Sequence, residues 1–393
     1  MQRFPIISPL ILLISPLAAL PFSLMEIYKK QKIGIISFSI ILALLASIFL
    51  PDFGMDSAKR YILYESFLDK DFNYFFNFYL VNRADSIFYT TIFLFAYYGI
   101  NFQILIFLYS LINIYIPLKI FISITDKQEF KPKTFFLCFL TLLFSLSFIM
   151  YFSGIRQLTA YILIIYGYYL IYYRRKYISG TLFAILAPLM HFSMIPFLPL
   201  IFFARHFNLR NSLIILLMMV TILFFIPKEI FIGVLMQISS ENMGINDKIA
   251  RYLVFNSSSS DTSLLLAFSN TLKSLWFYLL FPFLAYFQKY ESHFKRFIFL
   301  TIIIILSSMF VSDLAAGRYI SFLKILVALY LIEAFVNKII SGKILFLFVV
   351  LFSYEILFDF LIILADSFEY ILSSQYLFLF QILLSNITTA DIL

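Results

Sequence analysis

The stretch I-G-I-I-S-F-S-I-I-L-A-L-L-A-S-I-F-L, residues 33–50, decides the fold class. It holds no charged residue, and as an α-helix it is long enough to cross most of a hydrocarbon layer about 30 Å thick. Lys29, Lys30 and Lys32 precede it, and Pro51 ends it. Because lysines in a short loop stay in the cytoplasm, we predict a transmembrane helix that runs from the inner face to the outer face.

Comparable apolar runs recur along the whole chain, which has 393 residues, of which 63% are hydrophobic and 13% are charged. The mean hydropathy of +0.97 is far above that of a protein whose surface faces water. Transmembrane β-strands alternate polar and apolar residues, whereas these runs are continuously apolar. The sequence therefore predicts an all-α, polytopic helical membrane protein that forms a single integral-membrane domain over residues 1–393.

The charge and the cysteine content exclude several classes of protein. A net charge of +8 is typical of nucleic-acid-binding proteins, but here the basic residues lie in short loops between apolar runs, which is the pattern of cytoplasmic loops. The single cysteine, Cys138, excludes a disulfide framework and a cysteine-rich metal site. The chain also has no nucleotide-binding or zinc-protease motif. We expect no nucleic acid, no cofactor and no metal ion.

The distribution of basic residues predicts a topology. Applied loop by loop, the positive-inside rule gives about ten crossings, or about 10–12 transmembrane helices with re-entrant pieces included. Two large loops, about 51–85 and 227–270, are predicted at the outer face. The apolar run from Ile6 to Met25 is interpreted as a retained helix, because the lysines follow it, whereas a signal peptide carries its basic residues before the apolar run.

Two segments do not fit a single helix. Residues 86–124 must make one net crossing but are too long for one helix, so we predict a short interfacial or re-entrant piece at about 87–100, followed by a full helix. Residues 181–203 have the length of one helix but lie between two basic clusters. A single crossing would place three later basic loops outside, so we predict a re-entrant hairpin broken by its three prolines.

Four polar groups converge on the outer face in this topology, and polar residues near membrane depth are functional candidates by default. The first lies in Y-F-S-G-I-R-Q-L-T-A-Y, residues 151–161. Gly154 permits a tight turn, and Arg156 and Gln157 follow at the start of a helix. The guanidinium is a planar fork of donors that suits phosphate oxygens. The alternative is an arginine that snorkels from a helix end toward water.

The second group is His191 in L-A-P-L-M-H-F-S-M-I-P, at the tip of the predicted hairpin. A broken helix at membrane depth lines a cavity, where a neutral imidazole can act as a general base. The alternative is a structural histidine. The third group, Asp313 and Arg318 in S-D-L-A-A-G-R-Y, is either part of the site, with a second arginine, or an ion pair across an outer turn.

The fourth group lies in P-D-F-G-M-D-S-A-K-R-Y-I-L-Y-E, residues 51–65. Asp56 and Arg60 are one helical turn apart, and Tyr61 and Tyr64 extend the segment. Carboxylates accept hydrogen bonds from sugar hydroxyls while aromatic rings cover the apolar face of a sugar, and this favours a substrate-binding role. The same pattern is also typical of an interfacial helix in an aromatic belt.

The polar motifs follow one another in a definite order: G-I-R-Q-L-T-A-Y, a basic R-R-K, L-A-P-L-M-H-F-S-M-I-P and a late R-Y. In this order the chain resembles the EpsG-type polysaccharide polymerases, a branch of the Wzy-like O-antigen polymerases. Asp56, Arg156, His191 and Arg318 stand at the corresponding places. Two positions depart from the family pattern: Ser57 follows the acid where tyrosine is usual, and a methionine precedes the histidine where an aromatic residue is common.

The resemblance implies a glycosyltransferase that moves a glycan chain from an undecaprenyl-diphosphate carrier to a sugar hydroxyl of the next lipid-linked repeat unit. It implies that the reaction takes place at the outer, periplasmic face of the bacterial cytoplasmic (inner) membrane, without a metal ion. Arg156 and Arg318 would stabilise the departing diphosphate, and His191 would accept the proton of the hydroxyl. Asp56 with Tyr61 would orient the acceptor sugar. The implied partners are the lipid-linked oligosaccharide, membrane lipids, a flippase and a chain-length regulator.

Three other functions use similar residues. A flippase for lipid-linked oligosaccharide also needs arginines for the diphosphate, but its charged residues would line a cavity that spans both leaflets. A membrane acyltransferase would draw acyl-CoA from the cytoplasm, so its polar residues would approach the inner face. A ligase acting on surface glycan would differ from a polymerase in its products, which would contain single transferred units only.

Overall fold

The structure is a computed structural model, and it describes residues 7–47, 56–83, 85–126, 128–146, 150, 154–205, 276–277, 279–280, 283–284, 290–309 and 313–359. Within these ranges the regular secondary structure is helical throughout, and the predicted all-α class is confirmed. The predicted outer loop at 227–270 lies outside the described residues, as does most of the loop-to-helix junction before Gly154.

The helices are numbered here along the described part of the chain. They are α1 (Ser8–Leu12), α2 (Pro16–Tyr28), α3 (Lys32–Ser47), α4 (Asp56–Phe67), α5 (Phe72–Tyr74), α6 (Ser86–Tyr97), α7 (Phe102–Thr125), α8 (Pro132–Ser145), α9 (Ile155–Tyr172), α10 (Tyr177–Met190), α11 (Phe197–Phe203), α12 (His293–Met309), α13 (Asp313–Val336) and α14 (Gly342–Asp359). A π-helical turn follows α5 at Phe75–Tyr79, and a 3₁₀ turn joins α10 to α11 at Phe192–Met194.

Two of the described helices are long and apolar enough to cross a membrane: α7, with 24 residues, and residues Ala316–Val336 of α13. The opening stretch forms α3, whose 16 residues span about 24 Å at 1.5 Å per residue. Further apolar helices of 10–17 residues include α6, α8 and α10. The helical architecture expected for a membrane protein is therefore present, while the number of crossings stays a prediction.

The first apolar run is folded back on itself, so the prediction of one helix over it is wrong, while its retention in the protein stays a prediction. The backbone amides of Ile7 and Ser8 both donate to Glu26 Oε1 at 3.0 Å. In one continuous helix the 18 positions between Ser8 and Glu26 would separate them by about 27 Å. The chain breaks at Ser15 and Pro16, because Ser15 caps α2 through its hydroxyl and proline is favoured in the first helical turn.

The predicted division of residues 86–124 into a short piece and a full helix is confirmed by α6 and α7, while the interfacial or re-entrant position of the short piece stays a prediction. After α6 the chain turns at Gly99, which has a φ of 65° and so uses the left-handed region that favours glycine. The amide of Ile100 closes the turn on the Phe95 carbonyl at 2.8 Å. Asn101 then caps α7 by accepting from the Gln103 amide at 2.9 Å.

The segment from α10 to α11 is also folded back, as the hairpin prediction requires. The helix ends at His191, which has extended backbone angles (φ −150°, ψ 116°). The hydroxyl of Tyr172, at the end of α9, donates to the Ile201 carbonyl in α11 at 2.5 Å. Because α10 begins directly after α9, the chain runs away from the end of α9 along α10 and returns to it with α11. The break falls at the histidine, whereas Pro188 lies inside α10.

Several basic loops gather at one end of the bundle, which we call the basic end. Lys30, after α2, donates to the Gln128 carbonyl at 2.9 Å, and the Gln128 amide donates to the Val336 carbonyl. Asn337, after α13, donates to the Tyr290 hydroxyl at 2.8 Å. The last turn of α9 reaches the same place through tyrosines that contact α13 and the start of α12. These contacts agree with loops that share one side of a membrane.

The pairing of α9 with α10 rests on a close approach of two glycines. A Cβ on Gly167 would lie 2.7 Å from the Gly180 carbonyl oxygen, and a Cβ on Gly180 would lie 2.8 Å from the Gly167 carbonyl oxygen. Small residues allow helix backbones in membranes to approach this closely. The contact fixes α10, and with it His191, against α9.

Candidate functional site

Helix α9 begins at the end of the bundle opposite to the basic end. Its 18 residues correspond to about 27 Å, and Arg156 is its second residue. Arg156 has a side chain that is 11% exposed and lies among polar groups of α4, α6 and the α10–α11 break. We call this group the Asp85 cluster: Asp56, Arg60, Asp85, Tyr89, Arg156 and His191.

Asp85 is the centre of this cluster and is fully buried. Arg156 Nη1 donates to its Oδ2 at 2.5 Å, and the backbone amide of Phe192 donates to its Oδ1 at 2.9 Å. The Nδ1 atom of His191 lies 4.0 Å from the same Oδ1. One carboxylate therefore joins the start of α6, the start of α9 and the break after α10.

The two arginines of the cluster share a second carboxylate. Arg60 Nη2 donates to Asp56 Oδ1 at 2.8 Å, and Arg156 Nη2 lies 3.8 Å from Asp56 Oδ2. The side chain of Asp56 is 36% exposed, the largest value among these three residues. A carboxylate with this exposure is screened by water and is held more weakly than the buried Asp85.

Aromatic rings support both guanidinium groups. The guanidinium carbons of Arg60 and Arg156 lie 5.9 and 5.5 Å from the Phe88 ring centre, and 5.7 and 6.0 Å from that of Tyr89. The Tyr89 hydroxyl accepts from Nη1 of both arginines, at 3.4 and 3.3 Å. Among the described residues, neither buried Nε atom has a hydrogen-bond partner. The two forks are therefore placed side by side with donor capacity left over.

Burial alone would lower the pKa of Arg60. The charge of Asp56, with smaller contributions from Tyr89 and Tyr79, more than offsets this effect and leaves the pKa above its ordinary value. Arg60 consequently keeps its positive charge at every physiological pH. Arg83 adds a further cation nearby, 5.1 Å from the Tyr79 ring centre and 5.9 Å from that of Tyr89.

His191 is 2% exposed, and its Nδ1 has a defined environment. The Ser193 amide donates to Nδ1 at 3.3 Å, which requires that nitrogen to be unprotonated in this arrangement. If Nδ1 takes up a proton, Asp85 Oδ1 is the nearby carboxylate oxygen that stabilises the imidazolium. The Ser193 amide therefore orients the imidazole in this arrangement, and the Asp85 carboxylate is placed to stabilise its charged form.

The structure brings Arg318 to the same region through the backbone. The Tyr161 hydroxyl donates to the Arg318 carbonyl at 2.6 Å, and the Gln157 amide hydrogen-bonds to the Tyr161 hydroxyl. The next residue, Tyr319, donates to the Ser193 carbonyl at 3.1 Å, so α13 meets the break beside His191. The role of the Arg318 guanidinium stays a prediction. The side chain of Asp313, and with it the predicted pairing with Arg318, lies outside the described residues.

The tyrosines of α4 pack against the turn between α6 and α7. The Tyr64 hydroxyl donates to the Ile100 carbonyl at 2.9 Å. Its ring lies 6.1 Å from the Tyr61 ring, and each of the two rings lies 5.6 Å from that of Phe102. Tyr64 therefore anchors α4 to this turn. The predicted contact of Tyr61 and Tyr64 with a sugar is not tested by these packing contacts.

Asp85 and Tyr89 were not predicted as site residues from the sequence. Asp85 precedes the apolar helix α6, where an acid looks like an ordinary helix cap, although its side chain caps nothing there. Its partners Arg156 and Phe192 are 71 and 107 positions away. The sequence signal that could have identified Asp85 is its position directly before an apolar run, in a chain with few charged residues. Among the described residues, no group of three or more His, Cys, Asp or Glu could hold a metal ion.

The fold and the site together define a class: an all-helical membrane protein with a polar Asp–Arg–His cluster at the end opposite to its basic loops. A family model described as the EpsG family matches residues 32–378. The match covers nearly the whole chain and every residue of the Asp85 cluster, so the chain belongs to the EpsG family, the polysaccharide polymerases that its motifs resemble. No curated protein and no solved structure matches the chain.

Proposed function

We propose that the Asp85 cluster transfers a glycan chain from undecaprenyl diphosphate to the next lipid-linked repeat unit, at the outer face of the bacterial cytoplasmic membrane. The observation that carries the proposal is the pair of adjacent guanidiniums, Arg60 and Arg156, that share the partly exposed carboxylate of Asp56. Two such forks match the two phosphates of a lipid diphosphate.

Asp56 holds the position between the two arginines that an anionic substrate group would take. A diphosphate carries more negative charge than one carboxylate and offers more acceptor oxygens, so it displaces Asp56 from the two arginines. Asp85 stays in place, because it is buried and is also held by the Phe192 amide. When the diphosphate binds, Asp56 leaves the two arginines and moves toward the acceptor sugar. It can then orient this sugar, which is the role that the family resemblance implies.

The chemistry proceeds with His191 as the general base. The acceptor hydroxyl oxygen forms a bond to the anomeric carbon of the donor glycan, and the bond from that carbon to the diphosphate oxygen breaks. His191 takes the hydroxyl proton on Nδ1, which releases the hydrogen bond of the Ser193 amide, and the bond electrons leave with undecaprenyl diphosphate. Arg60, Arg156 and the predicted Arg318 stabilise the charge that gathers on this leaving group. Asp85 stabilises the imidazolium that His191 becomes.

The distribution of charge supports the outer face. The Asp85 cluster and the basic end lie at opposite ends of α9, and basic loops stay in the cytoplasm. An acyltransferase that uses cytoplasmic acyl-CoA would need its cluster at the basic end. A flippase would need charged groups along a path between the ends, and the cluster described here is confined to one of them. A ligase is separated from a polymerase by its products.

The test uses the purified full chain in nanodiscs with a lipid-linked repeat unit. Wild type is expected to give a ladder of polymers, and Arg156→Lys to give none, because an ammonium cannot reproduce the planar fork. Arg296→Gln is the control: this arginine pairs with Glu291 at 2.9 Å at the basic end and should leave the ladder unchanged. A full ladder from Arg156→Lys contradicts the diphosphate role, and products with one added unit identify a ligase.

A further inference from the structure

Tyr89 lies between the two guanidinium groups of the Asp85 cluster, and none of the proposed steps uses it. It follows Asp85 by one turn of α6 and is 2% exposed. Its hydroxyl oxygen lies 3.4 Å from Arg60 Nη1 and 3.3 Å from Arg156 Nη1. Its ring centre lies 5.7 and 6.0 Å from the two guanidinium carbons. The hydroxyl is therefore held in one place, between the two forks.

The two arginines divide their nitrogens between Tyr89 and Asp56. Both Nη1 atoms donate to the Tyr89 hydroxyl, and both Nη2 atoms face Asp56, from Arg60 at 2.8 Å and from Arg156 at 3.8 Å. Since the two Nη atoms of a guanidinium belong to one rigid plane, the Tyr89 oxygen lies beside the position that Asp56 holds. An anion that displaces Asp56 from the arginines therefore binds next to this hydroxyl.

The proton of the Tyr89 hydroxyl has no acceptor among the residues that the structure describes. A tyrosine hydroxyl carries one O–H donor and accepts through its lone pairs. Here the lone pairs receive the Nη1 atoms of Arg60 and Arg156, and no carboxylate or carbonyl oxygen of the described ranges accepts the remaining proton. A buried donor without an acceptor is unfavourable. The acceptor that fits this place is an oxygen of an anion held by the same two arginines.

We propose that Tyr89 is a catalytic residue that donates a hydrogen bond to the leaving phosphate oxygen, the oxygen that joins the diphosphate to the sugar. This role rests on the proposed function. When the bond from the anomeric carbon to this oxygen breaks, its electron pair stays on the oxygen, and the hydrogen bond from Tyr89 strengthens as the charge grows. Tyr89 keeps its proton, because His191 takes the proton that the acceptor hydroxyl releases.

The main test is Tyr89→Phe in the full chain, in nanodiscs with a lipid-linked repeat unit. Phenylalanine keeps the ring beside both guanidiniums and removes the hydroxyl alone. At saturating substrate the rate of glycan transfer should fall by about 100-fold. The dissociation constant of inorganic diphosphate should change by no more than about twofold, because the hydrogen bond gains its strength only as the bond breaks.

Tyr109→Phe is the matched control. This tyrosine is also buried, and its hydroxyl is hydrogen-bonded to Thr91 of the same helix α6 at 2.6 Å. The control makes the same chemical change next to α6 but away from the arginines, so it should transfer glycan at the wild-type rate. An equal loss of rate in Tyr89→Phe and Tyr109→Phe would show a structural effect and overturn the proposal.

A fluorinated tyrosine at position 89 separates donation from positioning, and it decides the question if Tyr89→Phe fails to fold. Fluorine beside the hydroxyl makes the O–H a stronger donor and the oxygen a weaker acceptor. If the hydroxyl donates to the leaving oxygen, transfer should be at least as fast as in wild type. Slower transfer would show that Tyr89 only accepts from the arginines and positions them, and this overturns the proposal.

The outcomes separate the role of Tyr89 from the function on which it rests. If Arg156→Lys loses the polymer ladder while Tyr89→Phe transfers at the wild-type rate, the role of Tyr89 alone is overturned. If wild type transfers nothing, or Arg156→Lys gives a full ladder, the proposed function is overturned and the role of Tyr89 with it.

Discussion

The two ends of α9 both carry carboxylates that join several helices, but the described contacts of these carboxylates differ in kind. At the Asp85 cluster the carboxylates of Asp56 and Asp85 face guanidinium groups, whereas at the basic end Glu333 receives hydroxyl donors. An ion pair can exchange its anion for another, so the Asp85 cluster suits a negatively charged substrate that binds and is released. At the basic end the Tyr173 and Ser292 hydroxyls join the end of α9 and the start of α12 to Glu333 of α13, so this carboxylate ties helices together.

The largest expected effect comes from breaking the buried ion pair. Asp85→Asn leaves the Arg156 charge buried without its main partner, and should lower the free energy of unfolding in detergent by about 3–5 kcal/mol. It should also reduce polymerisation by about 100- to 1000-fold, since the fork and His191 lose their common anchor. Denaturation followed by circular dichroism and the polymer ladder measure the two effects.

A double variant separates charge from catalysis in the same cluster. Asp85→Asn combined with Arg156→Gln removes both charges, so most of the lost stability should return while the activity should not. If the double variant is as unstable as the single one, the pair does not act through its charge. If the single variant polymerises normally, Asp85 has no role in the reaction.

The next largest effect is expected from the glycine contact that holds α10, and with it His191, against α9. Gly180→Ala would place a Cβ 2.5 Å from Ile171 Cγ1 and 2.8 Å from the Gly167 carbonyl, and the carbonyl cannot move aside. The expected loss is about 1–3 kcal/mol of unfolding free energy. Gly317→Ala in α13 meets nothing within 4 Å and is the control, with an expected small gain from higher helix propensity. Equal effects would contradict the close packing.

A smaller effect distinguishes Asp56, the carboxylate that diphosphate is proposed to displace, from the buried Asp85, which stays in place. Asp56→Asn removes the carboxylate that competes with diphosphate. Inorganic diphosphate should therefore bind about five- to tenfold more tightly, which is a gain of about 1 kcal/mol in the free energy of binding. Titration calorimetry in detergent measures the dissociation constant. Weaker binding to Asp56→Asn would show that Asp56 assists the anion, which contradicts the displacement proposed here.

The smallest effect concerns the basic end. Lys338 follows α13 with a φ of 60°, in the left-handed region where Gly99 stands after α6. Lys338→Gly should raise the unfolding free energy by about 1 kcal/mol, because glycine adopts this conformation without strain. Lys30 has the same φ, but its ammonium also donates to two carbonyls, so Lys30→Gly should gain less. Equal gains in thermal unfolding would mean that the contacts of Lys30 add nothing.

Much of the fold could be predicted because it depends on local length and charge. The split of residues 86–124 and the hairpin at 181–203 followed from counting helix lengths between basic loops, and the structure has both the two helices and the fold-back. The hairpin of α1 and α2 was missed because hydropathy is continuous across Ser15 and Pro16, and the tie between Ser8 and Glu26 is a tertiary contact.

The candidate site was predicted only in part, for a similar reason. Arg156, His191 and Asp56 were each visible as polar residues in short motifs, and the structure brings them together. Asp85 joins them through partners far away in sequence, so no local pattern could assign it. The role of Arg318 depends on a side-chain contact that the motif alone does not specify.

The length of α9 sets the depth at which the proposed reaction would take place. At about 27 Å the helix is shorter than a hydrocarbon layer of about 30 Å, and any tilt shortens its span further. With the basic end held at the inner surface, as proposed, the Asp85 cluster lies just below the outer edge of the hydrocarbon. A sugar diphosphate that reaches it leaves bulk water for a medium of lower dielectric constant, where each guanidinium acts more strongly on the leaving group than it would at the surface.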